Sequence, residues 1–383
     1  MKRKCLAIGI ILLFIGMNII PSTAQNNEKP SIPTSNGKWL YVGGDGPGNY
    51  TRIQDAIDNA SDGDTVFVYS GMYNERLWIL NVISLFGESR NTTIITCPSS
   101  NGSLIYLYAD GITITGFTLV SKTNSYRYID RIISNQNDHI ENITISKNIL
   151  YTTSTDSINL RDCSYSTISD NIFYLNVSVG IYMQISSNCT ITNNLFNGNP
   201  DGAHGIYFYR CRDTLISNNS FNSNEGGLAM TWSESNTISK NYFFSNQNAI
   251  SLDSSWYNDI IANRIENIRG TWGYFHIGIE LTDDSSRNII EKNFISHCRF
   301  GVFLSRAWDT MISMNTFMNN IVHARFFSDN ILPSNHWDQN YWGRPRVLPK
   351  PIFGVKSIYN IYPGFFEFDW HPAQEPYDIP GMS

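Results

Sequence analysis

A motif that is repeated nine times constrains the fold of this chain more than any other feature. In each repeat an isoleucine is followed three residues later by a marker residue, and two residues after the marker comes a large apolar residue. The markers are Phe117, Asn148, Asn171, Asn194, Asn219, Asn241, Asn263, Asn293 and Asn315. Successive markers are 22 to 31 residues apart. A self-similar period of this size is typical of a solenoid, in which each repeat forms one turn and packs on its neighbours.

Apolar residues two positions apart recur within each repeat. Most repeats carry a second apolar pair, such as Ile206 and Phe208, whose first member lies thirteen residues before the marker. Such alternation is typical of a half-buried strand, whereas a helical solenoid needs apolar spacings of three and four residues over longer stretches. We therefore predict an all-β fold, a right-handed parallel β-helix with coils of about 22 residues stacked ~4.8 Å apart. Its core is predicted to contain an aromatic stack of Phe173, Phe196, Phe221 and Phe243.

The repeated Asn is predicted to have a structural role. Asn tolerates the left-handed backbone conformation that a sharp corner requires. Stacked Asn side chains also bond one another from coil to coil, which satisfies each buried amide. The Asn column is therefore not counted among the candidate catalytic residues.

The N-terminal segment has the pattern of a secretory signal peptide. Residues 1–24 contain a basic start, an apolar run over residues 6–20, and the small residues Ser22 and Ala24 at a cleavage position. As a helix this run would span only ~22 Å, less than the ~30 Å apolar core of a bilayer. We expect a secreted or cell-surface protein, periplasmic or extracellular, with no membrane span in the mature chain. A signal that is retained as an anchor is the alternative.

The charge of the mature chain argues against nucleic acid as a partner. Removal of Lys2, Arg3 and Lys4 lowers the number of basic residues from 27 to 24 against 33 acidic ones, so the net charge becomes −9. A nucleic-acid-binding protein needs a basic face. We expect a monomer whose partner is a polysaccharide or a surface glycan.

The sequence divides into four segments. The signal peptide is followed by a polar linker at residues 25–38, a β-helix with an N-terminal cap at residues 39–343, and a C-terminal capping tail at residues 344–383. The tail contains seven prolines and the aromatic residues Phe365, Phe366, Phe368 and Trp370. Because proline donates no ladder hydrogen bond, we expect no further strands there, and we expect the aromatic residues to fold over the last coil.

A short helix is predicted to cap the N-terminal end of the β-helix. Ile53, Ala56 and Ile57 have helical spacing, and Thr51 with Gln54 has the spacing of a capping box. A helix at this place would cover the open edge of the first coil.

Three segments resemble a known family. Residues 53–68 and 71–75 resemble the opening of many secreted β-helix proteins, among them pectin-active enzymes and NosD-type accessory proteins. The Ile-Ser-x-Asn-x-Phe repeats and the closing Trp-x-x-Asn-Tyr-Trp-Gly at residues 337–343 resemble the NosD-type and sugar-hydrolase β-helix group. The resemblance covers residues 39–343 and implies a pectin lyase-like fold. For function it implies either a role in maturation of an exported copper enzyme or the binding or cleavage of polysaccharides.

Two coils carry extra residues at the same corner, at residues 125–131 and 269–276. Long loops in compact folds are often functional, and aromatic faces stack on sugar rings. These loops are predicted to bound a groove on one side of the rod, although both are also explained if they pack on the rod. The candidate carbohydrate-binding residues are Tyr126, Trp232, Trp256, Trp272, Tyr274 and His276.

Charged residues are predicted at outward strand positions between these loops. The candidate catalytic residues are Arg210, Asp253, Glu280, Asp283 and Asp284. Carboxyl groups on neighbouring coils lie in the distance range for paired acid and base catalysis on glycosidic bonds. The same acids with Ca²⁺ and an arginine base would suit a polysaccharide lyase. Outward residues of a solvated rod are often charged in any case, so a purely structural explanation competes.

The resemblance to pectin hydrolases is incomplete at the site. Asp283 and Asp284 resemble the paired-Asp element of that family, but its Gly-His-Gly element is absent, and residues 264–266 depart from its Arg-Ile-Lys element. A metal site is not predicted, because no His-x-His or Cys-x-x-Cys spacing supports one. The soft side chains in one coil are explained instead as packing residues; they are Met311, Met314, Met318 and His323.

Three functions stay open from the sequence. The first is a carbohydrate-binding or surface-interaction β-helix without catalysis. The second is a polysaccharide hydrolase or lyase that uses Asp253, Glu280 and Asp283. The third is a NosD-like accessory protein for an exported copper enzyme.

Overall fold

The computed structural model describes residues 37–97, 102–121, 131–135, 139–153, 156–268, 276–328, 335–355 and 363–379. The predicted signal peptide and nearly all of the predicted linker lie outside these ranges. The described chain forms a right-handed parallel β-helix of about 12 turns, as predicted. Within the described ranges, no helix is long and apolar enough to cross a membrane.

Each coil contributes one strand to each of three stacked sheets. The strand with the repeated isoleucine lies in the first sheet, the strand after the Asn corner lies in the second, and the next strand lies in the third. Strands within a sheet pair in parallel with those of the coils before and after. The exception is the last pair, β39 and β40 (bounds below), which is antiparallel and joins the third sheet to the first.

The first sheet contains fourteen of the described strands. They are β1 (Trp39–Val42), β2 (Thr65–Val68), β5 (Ser84–Gly87), β8 (Thr113–Thr115), β12 (Thr144–Ser146), β16 (Thr167–Ser169), β19 (Thr190–Thr192), β22 (Leu215–Ser217), β25 (Thr237–Ser239), β28 (Asp259–Ile261), β31 (Ile289–Glu291), β34 (Met311–Ser313), β37 (His336–Asp338) and β40 (Pro363–Asp369).

The second sheet contains twelve described strands, and a separate two-stranded pair lies at a turn. The twelve are β3 (Gly71–Asn74), β6 (Thr93–Thr96), β9 (Thr118–Val120), β13 (Ile149–Thr152), β17 (Ile172–Leu175), β20 (Leu195–Asn197), β23 (Ser220–Asn222), β26 (Tyr242–Phe244), β29 (Arg264–Glu266), β32 (Phe294–Ser296), β35 (Thr316–Met318) and β38 (Tyr341–Trp342). The pair is β11 (Ile140–Glu141) and β15 (Cys163–Ser164).

The third sheet contains the longest repeat strands. They are β4 (Leu77–Ile79), β7 (Ile105–Leu107), β10 (Ile133–Asn135), β14 (Ile158–Arg161), β18 (Val179–Gln184), β21 (His204–Tyr209), β24 (Gly226–Thr231), β27 (Asn248–Asp253), β30 (Ile277–Thr282), β33 (Phe300–Ser305), β36 (Val322–Phe327) and β39 (Lys350–Val355).

The predicted aromatic stack lies inside the tube. The rings of Phe173 and Phe196 are 4.6 Å apart between centroids, those of Phe196 and Phe221 are 4.8 Å apart, and those of Phe221 and Phe243 are 4.5 Å apart. All four side chains are fully buried. The stack needs room on the third sheet, where a Cβ atom at Gly205 would lie 2.5 Å from the ring of Phe221.

The marker Asn side chains form a continuous hydrogen-bonded ladder. The Nδ2 group of Asn194 donates to Oδ1 of Asn219 at 3.0 Å, and the backbone N–H of Asn194 donates to the same oxygen at 2.9 Å. The same pattern runs through Asn148, Asn171, Asn194, Asn219, Asn241, Asn263, Asn293, Asn315 and Asn340.

The prediction that the marker Asn adopts the left-handed conformation is wrong. That conformation belongs to the residue before it, as in Lys147, Asp170 and Lys240, whose φ angles are 55°, 57° and 55°. These residues are turned outward at the corner, and the marker points inward, because only an inward amide reaches the next coil.

The N-terminal helix α1 (Ile53–Asp58) buries Ile53, Ala56 and Ile57 in the core. Its predicted capping box is wrong, because its N-cap is Arg52, without a side-chain hydrogen bond. The buried carboxylate of Glu75 takes this role instead, accepting hydrogen bonds from the backbone N–H groups of Ile53 and Gln54 at 2.9 and 3.2 Å.

The C-terminal tail differs from the prediction in two ways. It contains two further strands, β39 and β40, despite Pro351 and Pro363, because both strands lie at the edge of the fold. In β40 the buried side chains are Glu367 and Asp369, whereas Phe366 and Trp370 are exposed. The acids are turned inward because they accept hydrogen bonds from the last coil.

Candidate functional site

The outer face of the third sheet brings together most of the residues that the sequence analysis selected. Its six-residue strands alternate core residues with outward residues, and the outward side chains of successive coils form rows along the rod. One row contains Tyr182, Tyr207, Ala229, Ser251, Glu280 and Phe303, and the next contains Gln184, Tyr209, Thr231, Asp253, Thr282 and Ser305. We call the part over β21, β24, β27 and β30 the third-sheet face.

Aromatic rings and an arginine form one end of the third-sheet face. Tyr182 and Tyr207 stack at 5.5 Å between ring centroids, and Tyr209 lies 5.4 Å from Trp232. The guanidinium of Arg210 lies over both Tyr209 and Trp232, at 5.3 and 5.0 Å from the ring centroids. We call Tyr209, Arg210 and Trp232 the aromatic platform.

Small side chains form the middle of the third-sheet face. Gly226 and Ala229 lie on β24, and Ser251 follows Ala229 in the same row on β27. A Cβ atom at Gly226 would lie 2.3 Å from Nδ1 of His204, so the imidazole fills the space above this glycine. Burial lowers the pKa of His204, so the ring is neutral near pH 7. The middle of the face therefore carries small outward side chains, with the His204 imidazole over Gly226.

Two carboxyl groups lie at the other end of the third-sheet face. Glu280 points outward between the fully buried Ile279 and Leu281, as predicted, and lies within 3.4 Å of the Ser251 hydroxyl that donates to it. Burial raises the pKa of Glu280 above its ordinary value of 4.5, and the negative charge of Asp253 raises the pKa further. The hydrogen bond from Ser251 lowers the pKa and offsets part of this shift. The charge of Asp253 on one coil therefore acts on Glu280 of the next coil.

Four of the predicted site residues lie in the turn after the strands rather than on them. Arg210, Trp232 and Asp283 occupy one turn position, with φ angles of 56°, 50° and 45°. Asp284 is one additional residue in its coil. The prediction of outward strand positions is therefore wrong for these residues, because each third-sheet strand ends one residue earlier. Asp283 forms an ion pair with Arg306 of the next coil.

Trp256 lies farther round the same turn. Its indole Nε1 donates to the carboxylate of Glu234 at 2.6 Å, which fixes the ring on the outer surface. His276 is half-buried at the opposite corner, next to Arg299, and burial together with that charge lowers its pKa. Tyr126, Trp272 and Tyr274 lie outside the described residues.

Sequence reasoning missed the tyrosines of the third-sheet face. Tyr207 and Tyr209 flank the apolar Phe208, so the strand alternation that located Phe208 in the core also places both tyrosines outward. Ser251 was missed because its contribution, a hydrogen bond to Glu280, depends on the register of two coils.

The arrangement supplies the contacts that a polar ring-shaped ligand needs. Aromatic faces offer large apolar area, and hydroxyl and carboxyl groups beside them fix orientation. A raised pKa beside a second carboxylate is also the arrangement of an acid and its partner in glycosidic cleavage. Within the described ranges, no group of three or more His, Cys, Asp or Glu side chains lies close enough to hold a metal ion.

Comparison with protein families identifies one match. The family described as "Periplasmic copper-binding protein (NosD)" matches residues 57–267 and 196–347, which together extend over most of the chain. A cell surface glycoprotein of Methanothermus fervidus is 28% identical over 148 residues, which are 38% of this chain and 22% of that protein. The match thus spans about a fifth of that relative. Both descriptions agree with the export predicted from residues 1–24.

Solved structures of similar fold include two carbohydrate-active enzymes. The A-module of mannuronan C-5 epimerase AlgE6 from Azotobacter vinelandii has a TM-score of 0.55 at 15% identity, covering 75% of this chain and 87% of its own. The family 28 exopolygalacturonase of Yersinia enterocolitica has a TM-score of 0.56 at 12% identity, covering 84% of this chain and 73% of its own. At these identities the likeness is one of fold.

Proposed function

The chain belongs to the NosD family, and on that basis we propose that it is an exported β-helix protein that binds a carbohydrate along the third-sheet face. The observation that carries this proposal is the aromatic platform, which lies beside a floor of small side chains that ends at Glu280 and Asp253. The two carbohydrate-active enzymes that share this fold agree with the proposal.

The physical reason is the combination of ring faces with hydrogen-bonding groups. A sugar ring has apolar C–H faces that pack on tyrosine and tryptophan, and equatorial hydroxyls that need partners. Thr231 and Ser251 lie between the platform and the acids and offer such partners. Successive coils are ~4.8 Å apart, close to the length of one sugar residue in an extended chain, so a glycan parallel to the axis would place about one sugar residue over each coil.

We expect Trp232→Ala to weaken oligosaccharide binding by about 1–2 kcal/mol, because it removes one half-exposed aromatic contact. Stability should barely change, since Trp232 lies outside the core. Titration calorimetry with alginate, polygalacturonate, xylan and chitin oligosaccharides measures the effect. Tyr165→Ala is the matched control, because Tyr165 is 61% exposed on a turn outside the third-sheet face. Equal loss in both variants would contradict the proposed location.

Glu280 favours a second candidate function, a polysaccharide hydrolase or lyase. Its raised pKa keeps it protonated to a higher pH than an ordinary glutamic acid, as a general acid requires. In a hydrolase Glu280 protonates the leaving oxygen, and Asp253 supplies the second carboxylate. Glu280→Gln and Asp253→Asn should then each lower turnover by about 10²-fold or more, while binding persists. Release of reducing ends or unsaturated products measures turnover, and a wild-type protein that binds but releases neither product would exclude this function.

The pKa of Glu280 also predicts a pH-dependent stability. A carboxyl group whose pKa is raised by folding binds its proton more tightly in the folded state, so its ionisation destabilises the fold. The destabilisation is absent below the unfolded pKa of about 4.5 and grows as pH rises through the folded value. We therefore expect Glu280→Gln to raise the melting temperature at pH 7 and to leave it unchanged at pH 3.5. A difference that is the same at both pH values would show that Glu280 is not desolvated.

Copper binding, which the family description implies, does not fit the described residues. The soft side chains that the sequence placed in one coil do not converge: Met311 lies on the first sheet and is 47% exposed, Met318 lies on the second, and His323 lies on the third. These three side chains therefore lie on different faces of the coil and do not form one cluster. Burial, Lys350 and Arg346 lower the pKa of His323 to about 4, and the two cations repel a metal ion.

A further inference from the structure

The corner between the second and third sheets has a distinctive composition towards the C-terminal end of the rod. In three successive coils it consists of the turns at residues 297–299, 319–321 and 343–349, which connect β32 to β33, β35 to β36 and β38 to β39. The first two turns are hydrogen-bonded to each other, since the backbone N–H of Ile321 donates to the carbonyl of Cys298 at 3.0 Å. The third turn follows them, because β36 and β39 pair in parallel. We call these three turns, together with Lys350, the basic edge.

The basic edge carries the three most exposed large hydrophobic side chains of the described residues. Val347 is 93% exposed, Ile321 is 81% exposed and Leu348 is 76% exposed, whereas the next such side chain in order, Trp370, is 63% exposed. Prolines at 345 and 349 flank the pair Val347 and Leu348 and fix the backbone angle φ at two positions of the turn. A partner would therefore bury these side chains without having to order the whole turn.

The charged residues of the basic edge are all cations. They are Arg299, Arg344, Arg346 and Lys350, and residues 297–299, 319–321 and 343–350 contain no Asp or Glu. The whole chain, in contrast, has 33 acidic residues against 27 basic ones. The ion pairs among the described residues include none of these four cations. The edge is thus a positively charged strip on an acidic protein.

Three of the cations lie close together. Burial lowers the pKa of Lys350, and the charges of Arg346 and Arg344 lower it further. The Nε atom of Arg346 is buried and has no hydrogen-bond partner among the described residues. Gln374 donates to the backbone carbonyl of Arg346 and so holds the turn against the C-terminal tail. An anion bound at the edge would relieve the repulsion between the cations and would accept hydrogen bonds from Arg346.

A lipid surface is the partner that satisfies both the cations and the apolar side chains. Anionic headgroups attract Lys and Arg, and the acyl boundary beneath them takes up exposed aliphatic side chains. An acidic glycan would pair with the cations but would leave Ile321, Val347 and Leu348 in water. A second copy of the chain would have to bury about 800 Å² on each partner, which is more than a narrow, convex corner offers.

We propose that the basic edge docks the protein on an anionic lipid surface, with Ile321, Val347 and Leu348 inserted among the headgroups and the cations bound to phosphate groups. This goes beyond the proposed carbohydrate binding and does not depend on it. The edge precedes the third-sheet strands of its coils, whereas the aromatic platform lies at the other ends of those strands and in earlier coils. The platform therefore remains accessible when the edge lies on lipid.

The first test removes charge from the edge. The exported form without residues 1–24 is used, because that apolar segment would itself bind lipid. It is sedimented with vesicles of equal parts phosphatidylglycerol and phosphatidylcholine, and with vesicles of phosphatidylcholine alone. We expect binding to the anionic vesicles, weakened by salt, and a loss of about 10-fold or more when Arg344→Gln and Arg346→Gln are combined. The matched control combines Lys147→Gln and Lys240→Gln, which remove the same charge from exposed positions at another corner and should change binding by less than about 2-fold.

The second test removes the apolar side chains. Val347→Ser combined with Leu348→Ser should lower the affinity for the anionic vesicles by about 10-fold or more at unchanged net charge. The matched control is Leu80→Ser combined with Val82→Ser, which removes an exposed leucine and valine from the N-terminal end of the rod and should leave binding unchanged. Thermal unfolding establishes that the variants are folded, and either edge variant provides the test if the other does not fold.

Several results would overturn the proposal. They are a wild-type protein that binds no anionic vesicles, equal binding to anionic and neutral vesicles, and equal losses in the edge variants and their controls. A wild-type dimer in gel filtration that Val347→Ser and Leu348→Ser dissociate, without any binding to vesicles, would make the edge an interface between two copies instead. Trp232→Ala should keep full vesicle binding, so a protein that binds lipid but no glycan on a broad array overturns the proposed function and leaves this inference standing.

Discussion

We expect Phe196→Ala to lower the free energy of unfolding by about 3–5 kcal/mol, because it removes a ring from the middle of a buried stack. The neighbouring rings of Phe173 and Phe221, at 4.6 and 4.8 Å, lose contacts on both sides. The cavity cannot collapse easily, since the coil spacing is fixed by backbone hydrogen bonds. Chemical denaturation of the purified protein measures the change.

Two variants serve as controls for this prediction. Phe196→Leu keeps most of the volume and should cost less than about 1.5 kcal/mol. Phe244→Ala removes an outward ring two strands along in the same sheet, and it should cost less than about 1 kcal/mol. A cost for Phe196→Ala as small as that for Phe244→Ala would contradict the inward position of the Phe column.

Asp369→Ala should destabilise the protein by roughly 3 kcal/mol or more, because the carboxylate ends the Asn ladder. Its Oδ2 atom accepts hydrogen bonds from the backbone N–H and Nδ2 of Asn340 and from the indole Nε1 of Trp342, at 2.9, 3.2 and 3.0 Å. Asp369 is fully buried, so its removal leaves two donors without partners at about 1–3 kcal/mol each, the backbone N–H of Asn340 and the indole Nε1 of Trp342. The Nδ2 group of Asn340 still donates to the carbonyl of Ile312.

Asp338→Ala is the matched control for the ladder terminus. Asp338 lies in the same region, but its side chain is 44% exposed and its ion pair with His371 is on the surface. Such a pair contributes at most about 1 kcal/mol. Equal destabilisation by the two substitutions would contradict the assignment of Asp369 as the end of the ladder. Thermal unfolding of the two variants side by side decides between these results.

The fold could be predicted because its information is local and repeated. The column of Ile145, Ile168 and Ile191 appears in the sequence as a period and in the structure as direct pairing between successive coils. The ladder could be anticipated for the same reason, since a buried amide at every repeat needs a partner of its own kind.

The details that were predicted wrongly depend on contacts between residues, and the repeat spacing carries no information about these contacts. The left-handed residue at each corner varies in type, from Lys147 to Ala262 to Met314, so composition gives no signal for it. The inward direction of Glu367 and Asp369 follows from donors on Asn335, Trp337, Asn340 and Trp342, which lie about 30 residues earlier. Only the assembled end of the rod shows why acids rather than aromatic residues face the core.

The candidate site was predicted in part. Strand alternation placed Asp253 and Glu280 on one outer face, but it gave neither the burial that raises the pKa of Glu280 nor its contact with Ser251.

The ladder also has a direction. Each marker Asn donates from its backbone N–H and from Nδ2 to the amide oxygen of the coil that follows it in the chain, and its own Oδ1 accepts the same pair of hydrogen bonds from the coil before. At its N-terminal end the column begins with the Oδ1 atom of Asn148, which accepts a hydrogen bond from the backbone N–H of Phe117. At its C-terminal end it finishes with donors, which the carboxylate of Asp369 accepts. The two ends of the column are therefore chemically different, and an acid can terminate it only at the C-terminal end.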